Sequence, residues 1–147
     1  MKKLTFITGL MIAYSVTSCS QDYEKLDTAD IDEKKVKIAQ DFATSYFTNL
    51  KNGTIYEFKD KAIEAIVTNQ TPENQKAVYK QLKVKFGDFK SLAFSEVWCP
   101  VAAPSHHIIR FKSDFSESSK KLEIRVVVNE SDKISGFWVK PWSDILL

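Results

Sequence analysis

The hydrophobic period of this chain changes once, at Phe89, and that single change fixes the class of fold open to it. Before Phe89, Ala39, Phe42, Ala43, Tyr46, Phe47 and Leu50 recur at i, i+3 and i+4, the spacing of one helix face. After it, Leu122, Ile124, Val126 and Val128 alternate with Lys121, Glu123 and Arg125, the pattern of a half-buried strand. Helices gathered first and strands gathered after them predict an α+β domain rather than a doubly wound sheet.

Three helices are expected. Asp30 reads as the N-cap of the first, with Glu33 at the reciprocal capping position. Asn52-Gly53 ends it, because glycine enters the left-handed conformation without penalty. A second helical pattern runs from Ile55 to Val67 through Phe58, Ala62, Ile63 and Ile66, as one helix or two short pieces. Thr71 and Pro72 open the third as N-cap and first helical residue. Val78, Leu82 and Phe86 form its stripe, and Phe86-Gly87-Asp88 closes it.

Four strands follow: Leu92 to Cys99, His106 to Phe115, Leu122 to Val128 and Ile134 to Lys140. Short polar turns between them make an antiparallel meander. One face must meet the helices; the other carries Arg110, Lys112, Glu123 and Arg125 and is expected to face water. Phe137 and Trp138 are adjacent and therefore point to opposite faces. One of them lies on the face away from the helices, as a partner or dimer surface or beneath the Trp142-to-Leu147 tail.

The first residues read as an address. Met1-Lys2-Lys3 is basic, and Leu4 to Val16 is a 13-residue stretch without charge, the form of a secretory leader. It is shorter than the roughly 20 apolar residues that span a bilayer. Val16-Thr17-Ser18-Cys19 resembles the bacterial lipobox, in which small residues precede a cysteine. The resemblance implies a thioether to diacylglycerol at Cys19, cleavage after residue 18 and acylation of the new amino terminus. Two or three acyl chains hold a protein at a membrane where one does so only marginally. Residues 1–18 are thus expected as leader and 19–29 as an acidic polar tether carrying Asp22, Glu24 and Asp27. Residues 30–147 are expected as the folded domain. The expected location is the bacterial cell envelope, at the outer membrane.

Composition narrows the function. The 147 residues hold 21 Lys+Arg against 19 Asp+Glu, and two of those lysines belong to the leader. The remainder is balanced, so no basic footprint is left for nucleic acid. With Cys19 lipidated, Cys99 becomes a lone thiol, most simply a small buried hydrophobe. No Gly-x-Ser-x-Gly elbow, phosphate loop, dinucleotide fingerprint or His-Glu-x-x-His occurs. His106 and His107 point oppositely on a strand and do not share an ion, so neither metal nor cofactor is expected. A Cys99–His107 pair would need tertiary proximity to act as a nucleophile. Tyr46, Tyr56, Trp98, His107, Phe137 and Trp138 are the candidates for lining a cavity or an interface. Core packing is the ordinary role for the buried aromatics among them.

Ala39-Gln40-Asp41-Phe42, Thr71-Pro72-Glu73, Leu82 to Phe89, Asp132-Lys133-Ile134-Ser135-Gly136-Phe137 and Pro141 together resemble the bacterial family called domain of unknown function 3887. More broadly, three helices on a curved four-stranded antiparallel sheet resemble the nuclear-transport-factor-2-like cone. Tyr79 stands where that family often has tryptophan. The resemblance implies a stand-alone exported module without its own catalytic machinery. Its alternatives are a small isomerase or hydrolase using the cone cavity, and a dimerisation or structural module acting through the sheet face. The partners implied are the membrane and an unknown small molecule or envelope protein.

Overall fold

The computed structural model describes residues 22–146. The expected leader and the expected lipidation at Cys19 therefore fall outside the described residues. The chain folds as an α+β domain with three helices on one face of a five-stranded antiparallel sheet. Among the described residues no helix is long and apolar enough to cross a membrane.

Helix α1 spans Glu33–Lys51. Its N-cap is Asp32, two residues later than expected, because the Asp32 carboxylate accepts the amides of Lys34 and Lys35 while 28–30 form a separate 3-10 turn. The expected stripe is buried as a unit: Ala39, Phe42, Ala43, Tyr46, Phe47 and Leu50 are all in the core. The second helical pattern takes the form of two short pieces, the second of the two alternatives. Only a 3-10 turn at Lys59–Lys61 and a short α2, Glu64–Asn69, form there. Gln75 supplies the reason. Its buried side chain accepts the Tyr56 amide at 2.9 Å and donates to the Tyr56 carbonyl at 3.0 Å, satisfying backbone groups that lie outside any helix.

Helix α3 spans Pro72–Phe86, with the Thr71 hydroxyl accepting the Asn74 amide and Pro72 in the first turn, as expected. Its buried face is rotated from the expected stripe. Gln75 and Tyr79 are buried, Leu82 and Phe86 are half-buried, and Val78 is 40% exposed. Gly87 then turns the chain at φ 81°, a conformation that disfavours any side chain.

The strands are β1 (Tyr23–Lys25), β2 (Phe89–Pro100), β3 (His107–Phe115), β4 (Leu122–Val128) and β5 (Ile134–Pro141), in sequential order across the sheet. The four expected strands are present, and β1 is the addition. Tyr23, Glu24 and Lys25 pair with Pro100, Cys99 and Trp98, so part of the expected tether is sheet. Polar, charged and only three residues long, β1 carries no alternation strong enough to be read as a strand from sequence.

Parity along the strands sets the two faces. Val97, Ile109, Phe111, Ile124, Val126 and Phe137 meet the helices. The opposite face holds Lys25, Glu96, Trp98, Arg110, Glu123, Arg125 and Trp138. The expectation that this second face is solvated is overturned for its centre, since Arg110 and Glu123 are fully buried. Arg110 clasps Glu123 through two bonds of 2.9 Å, also donates to Glu96, and gives a further bond to the Ser143 carbonyl at 2.5 Å. Arg125 reaches the same Glu123 carboxylate at 2.6 Å. The Trp142 ring lies 4.3 Å from the Arg110 guanidinium and 4.6 Å from the Lys112 ammonium. The C-terminal residues thus roof an ion network, which dries a face that charge patterning alone assigns to water.

Candidate functional site

Space between the helices and the sheet is filled with rings. Phe42, Tyr46, Tyr56, Phe58 and Phe137 contact one another with centroids 5.1–6.2 Å apart. Aromatic pairs of this kind contribute about 0.5–1.5 kcal/mol each beyond their area. Phe47, Phe89 and Phe115 extend the packing toward the far end of the sheet. Tyr46 and Tyr56 are thus core residues, and Phe137 is the half-buried edge of the same cluster. Tyr46 is fully buried and its hydroxyl meets Gln70 Oε1 at 3.1 Å. Burial pushes that phenol well above its ordinary pKa, so it serves as a neutral hydrogen-bonding group.

Concave space remains at the surface: a groove of about 560 Å3 lies between α1 and Phe94, and two others flank β5. On the helix side a groove of about 370 Å3 runs between β5 and helices α2 and α3. Tyr46 and Phe47 form its floor, Ile66, Val78 and Leu82 its helical wall, and residues 135–139 its strand wall. On the other face a groove of about 610 Å3 crosses the sheet past Tyr23, His106, Ile108, Arg125, Val127 and Trp138. Trp138 and Val139 border both. Trp138 is 53% exposed, and its ring folds over Gly136, where an added Cβ would lie 2.6 Å from it. Glycine therefore allows the indole to lie flat on the strand.

The structure thus gathers three of the sequence candidates, Tyr46, Phe137 and Trp138, around one groove. The others go elsewhere. Tyr56 belongs to the aromatic core, and Trp98 donates its indole N–H to Glu96 at 2.9 Å on the charged face. His107 lies with the core-facing parity of β3, where burial and the neighbouring Lys35 charge lower its pKa and favour the neutral ring. Cys99 is buried, and burial together with Glu24 raises its thiol pKa, the opposite of an activated nucleophile. No group of three metal-ligating side chains occurs among the described residues. Phe137 faces the helices and Trp138 faces away, but the C-terminal tail roofs Arg110 rather than Trp138.

Sequence reasoning missed Ile66 and Gln70 as wall residues, and read Val78 and Leu82 only as core. The signal that could have found them is β5 itself. As the last strand of a meander it has to be an edge, whereas the helices beside it are set by tertiary packing. No protein-family model, no curated protein and no solved structure matches this chain.

Proposed function

We propose that this chain is a lipid-anchored protein of the bacterial cell envelope whose α+β domain binds a partner without transforming it. The fold reading that accompanies this is a nuclear-transport-factor-2-like cone, widened at one edge by β1 and filled with aromatic side chains. The observation that carries the binding reading is the groove beside β5. It is apolar on its floor, holds few polar groups, Tyr46 and Gln70 among them, and is bordered by an exposed tryptophan. Shallow apolar concavities with few convergent polar groups are the usual form of a recognition site. The leader and the cysteine at its end support the anchor.

Two experiments test the two halves. Cys19→Ala is expected to abolish lipid labelling and leave the leader uncut, and normal processing of that variant refutes the anchor. For binding, a photo-crosslinking amino acid is placed in living cells at residue 78, in the groove, or at residue 84, which is 83% exposed on the same helix. A discrete envelope adduct from residue 78 alone is the expected result. Equal crosslinking from both positions, or none from residue 78, contradicts it.

A further inference from the structure

We infer that the end of the sheet formed by Tyr23 and the loop between β2 and β3 seats on a lipid bilayer, against zwitterionic headgroups and the acyl chains beneath them. This rests on the lipid anchor proposed above and goes further by naming the protein surface that meets the membrane and the lipid it meets. Residues 19–29 read as a tether in the sequence, yet the fold takes up most of them. Tyr23–Lys25 pair with β2, the Leu26 amide donates to the Val97 carbonyl at 2.9 Å, and 28–30 form a 3-10 turn. The Val101 amide donates to the Asp22 carbonyl at 2.9 Å, so the fold grips the chain from Asp22 onward. Cys19 precedes Asp22 by three residues, which reach at most about 11 Å in any conformation. An acylated Cys19 sits at the bilayer surface, and this short reach brings the Asp22 end of the domain to it.

The loop that waits there is apolar. The meander places the β2–β3 loop and the β4–β5 turn at this end, and the β3–β4 turn at the other. Turns ordinarily draw on Gly, Pro, Asn, Asp and Ser. Two of the three are polar throughout: Ser116-Glu117-Ser118-Ser119-Lys120-Lys121 and Asn129-Glu130-Ser131-Asp132-Lys133. The third, Val101-Ala102-Ala103-Pro104-Ser105-His106, is not, and from Cys99 to Ile109 the sequence holds no Asp, Glu, Lys or Arg. Val101 is 58% exposed, and Ala102 and Pro104 are exposed with it. The loop is a formed surface, because the Ala103 amide donates to the Pro100 carbonyl and the His106 amide to the Ala103 carbonyl, each at 3.0 Å. Tyr23 stands exposed opposite Pro100. Exposed aliphatic side chains with a tyrosine at their margin suit the boundary between headgroups and acyl chains.

Charge selects the lipid. Lys25 pairs with Glu96, and Lys34 and Lys35 pair with Asp132. That leaves Lys133 at this end against Asp22, Glu24 and Glu130. Attraction to anionic lipid takes a cluster of basic residues, and this end is acidic on balance. Contact is therefore through the apolar loop, on zwitterionic lipid.

The test uses the processed lipoprotein with Ala102→Cys, labelled with an environment-sensitive fluorophore, in vesicles of phosphatidylcholine and phosphatidylethanolamine in equal parts. Cys99 is buried and leaves residue 102 to take the label. Spin-labelled lipid should quench the label at residue 102 at least fivefold more than the same label at residue 119, in the turn at the far end. Adding Val101→Asp, at an exposed site, should cut the quenching at 102 at least threefold with the melting temperature unchanged. Exchanging phosphatidylethanolamine for phosphatidylglycerol should not raise it. Equal quenching at 102 and 119 overturns the docking. Quenching that Val101→Asp leaves unchanged also overturns it, since the tether alone then holds the loop near lipid. A signal that rises with phosphatidylglycerol overturns the zwitterionic assignment. Self-association in micelles that Val101→Asp abolishes gives this end to a second copy instead. Mass spectrometry of the same sample separates the two readings: Cys19 without acyl chains overturns the anchor and this inference with it, whereas acylated Cys19 with residue 102 unquenched overturns this inference alone.

Discussion

Replacing Glu123 with glutamine isolates the ion network under the C-terminal roof. Glu123 is fully buried and accepts three hydrogen bonds from cations, two from Arg110 and one from Arg125. Burial alone would raise its pKa, but the hydrogen bonds from Arg110 and Arg125 outweigh it and hold the carboxyl below its ordinary range. Glutamine keeps the shape and removes the charge, leaving Arg110 buried against Glu96 and the Ser143 carbonyl. Breaking a buried pair from one side costs about 3–5 kcal/mol. The remaining Glu96 contact puts Glu123→Gln near 3 kcal/mol, roughly a hundredfold in the folding equilibrium. At a urea dependence of about 1–3 kcal/mol per molar, the unfolding midpoint should fall by about 1–3 M. The double variant Arg110→Met/Glu123→Leu exchanges the pair for apolar side chains and should recover to within about 1 kcal/mol of the parent, because desolvating the pair offsets most of its attraction. A single-variant loss under about 1 kcal/mol, or a double variant as damaged as the single, refutes the reasoning.

Other outcomes follow from single sites. Gly87 and Gly53 both have positive φ, but an added Cβ would lie 2.6 Å from the Glu117 amide at Gly87 and meets nothing within 4 Å at Gly53. Thermal melts should therefore show Gly87→Ala costing clearly more than the roughly 1 kcal/mol of conformational strain expected for Gly53→Ala. The Cys99 thiol, buried and raised in pKa, should react slowly with a disulfide reagent in the native protein and rapidly in denaturant. Asp132 is held down to about 2 by hydrogen bonds from Lys34 and Lys35. A folded-state pKa below the unfolded one gives stability that is present above the ordinary carboxylate pKa and is lost as pH falls through the folded value. Acid titration of stability should steepen from about pH 4 down to 2, and Asp132→Asn should flatten that window. An unchanged acid limb in Asp132→Asn contradicts the assignment.

The sequence carries the larger elements because each is written in a regular period. Helix α1 buries the very residues its spacing selects, and Thr71-Pro72 starts α3 where capping chemistry requires. What stays hidden depends on tertiary partners. Gln75 satisfies the Tyr56 backbone outside any helix, and no local signal in Ile55 to Val67 announces that distant amide. Arg110 and Glu123 read as solvated because only the folded chain brings Trp142 and Ser143 over them. The site was half legible. Tyr46, Phe137 and Trp138 stand out as large aromatics, whereas Val78 and Leu82 look like core until the missing neighbour of β5 leaves a groove beside them.

Amide hydrogen exchange of the protein, with and without the partner captured at residue 78, tests recognition beside β5 most directly. Slowed exchange concentrated at residues 136–139, with the amides of the Phe42–Tyr46 segment unchanged, is the predicted pattern. Protection that instead appears around Phe42 and Tyr46, or that bypasses β5 altogether, would contradict a packed interior with recognition at its edge.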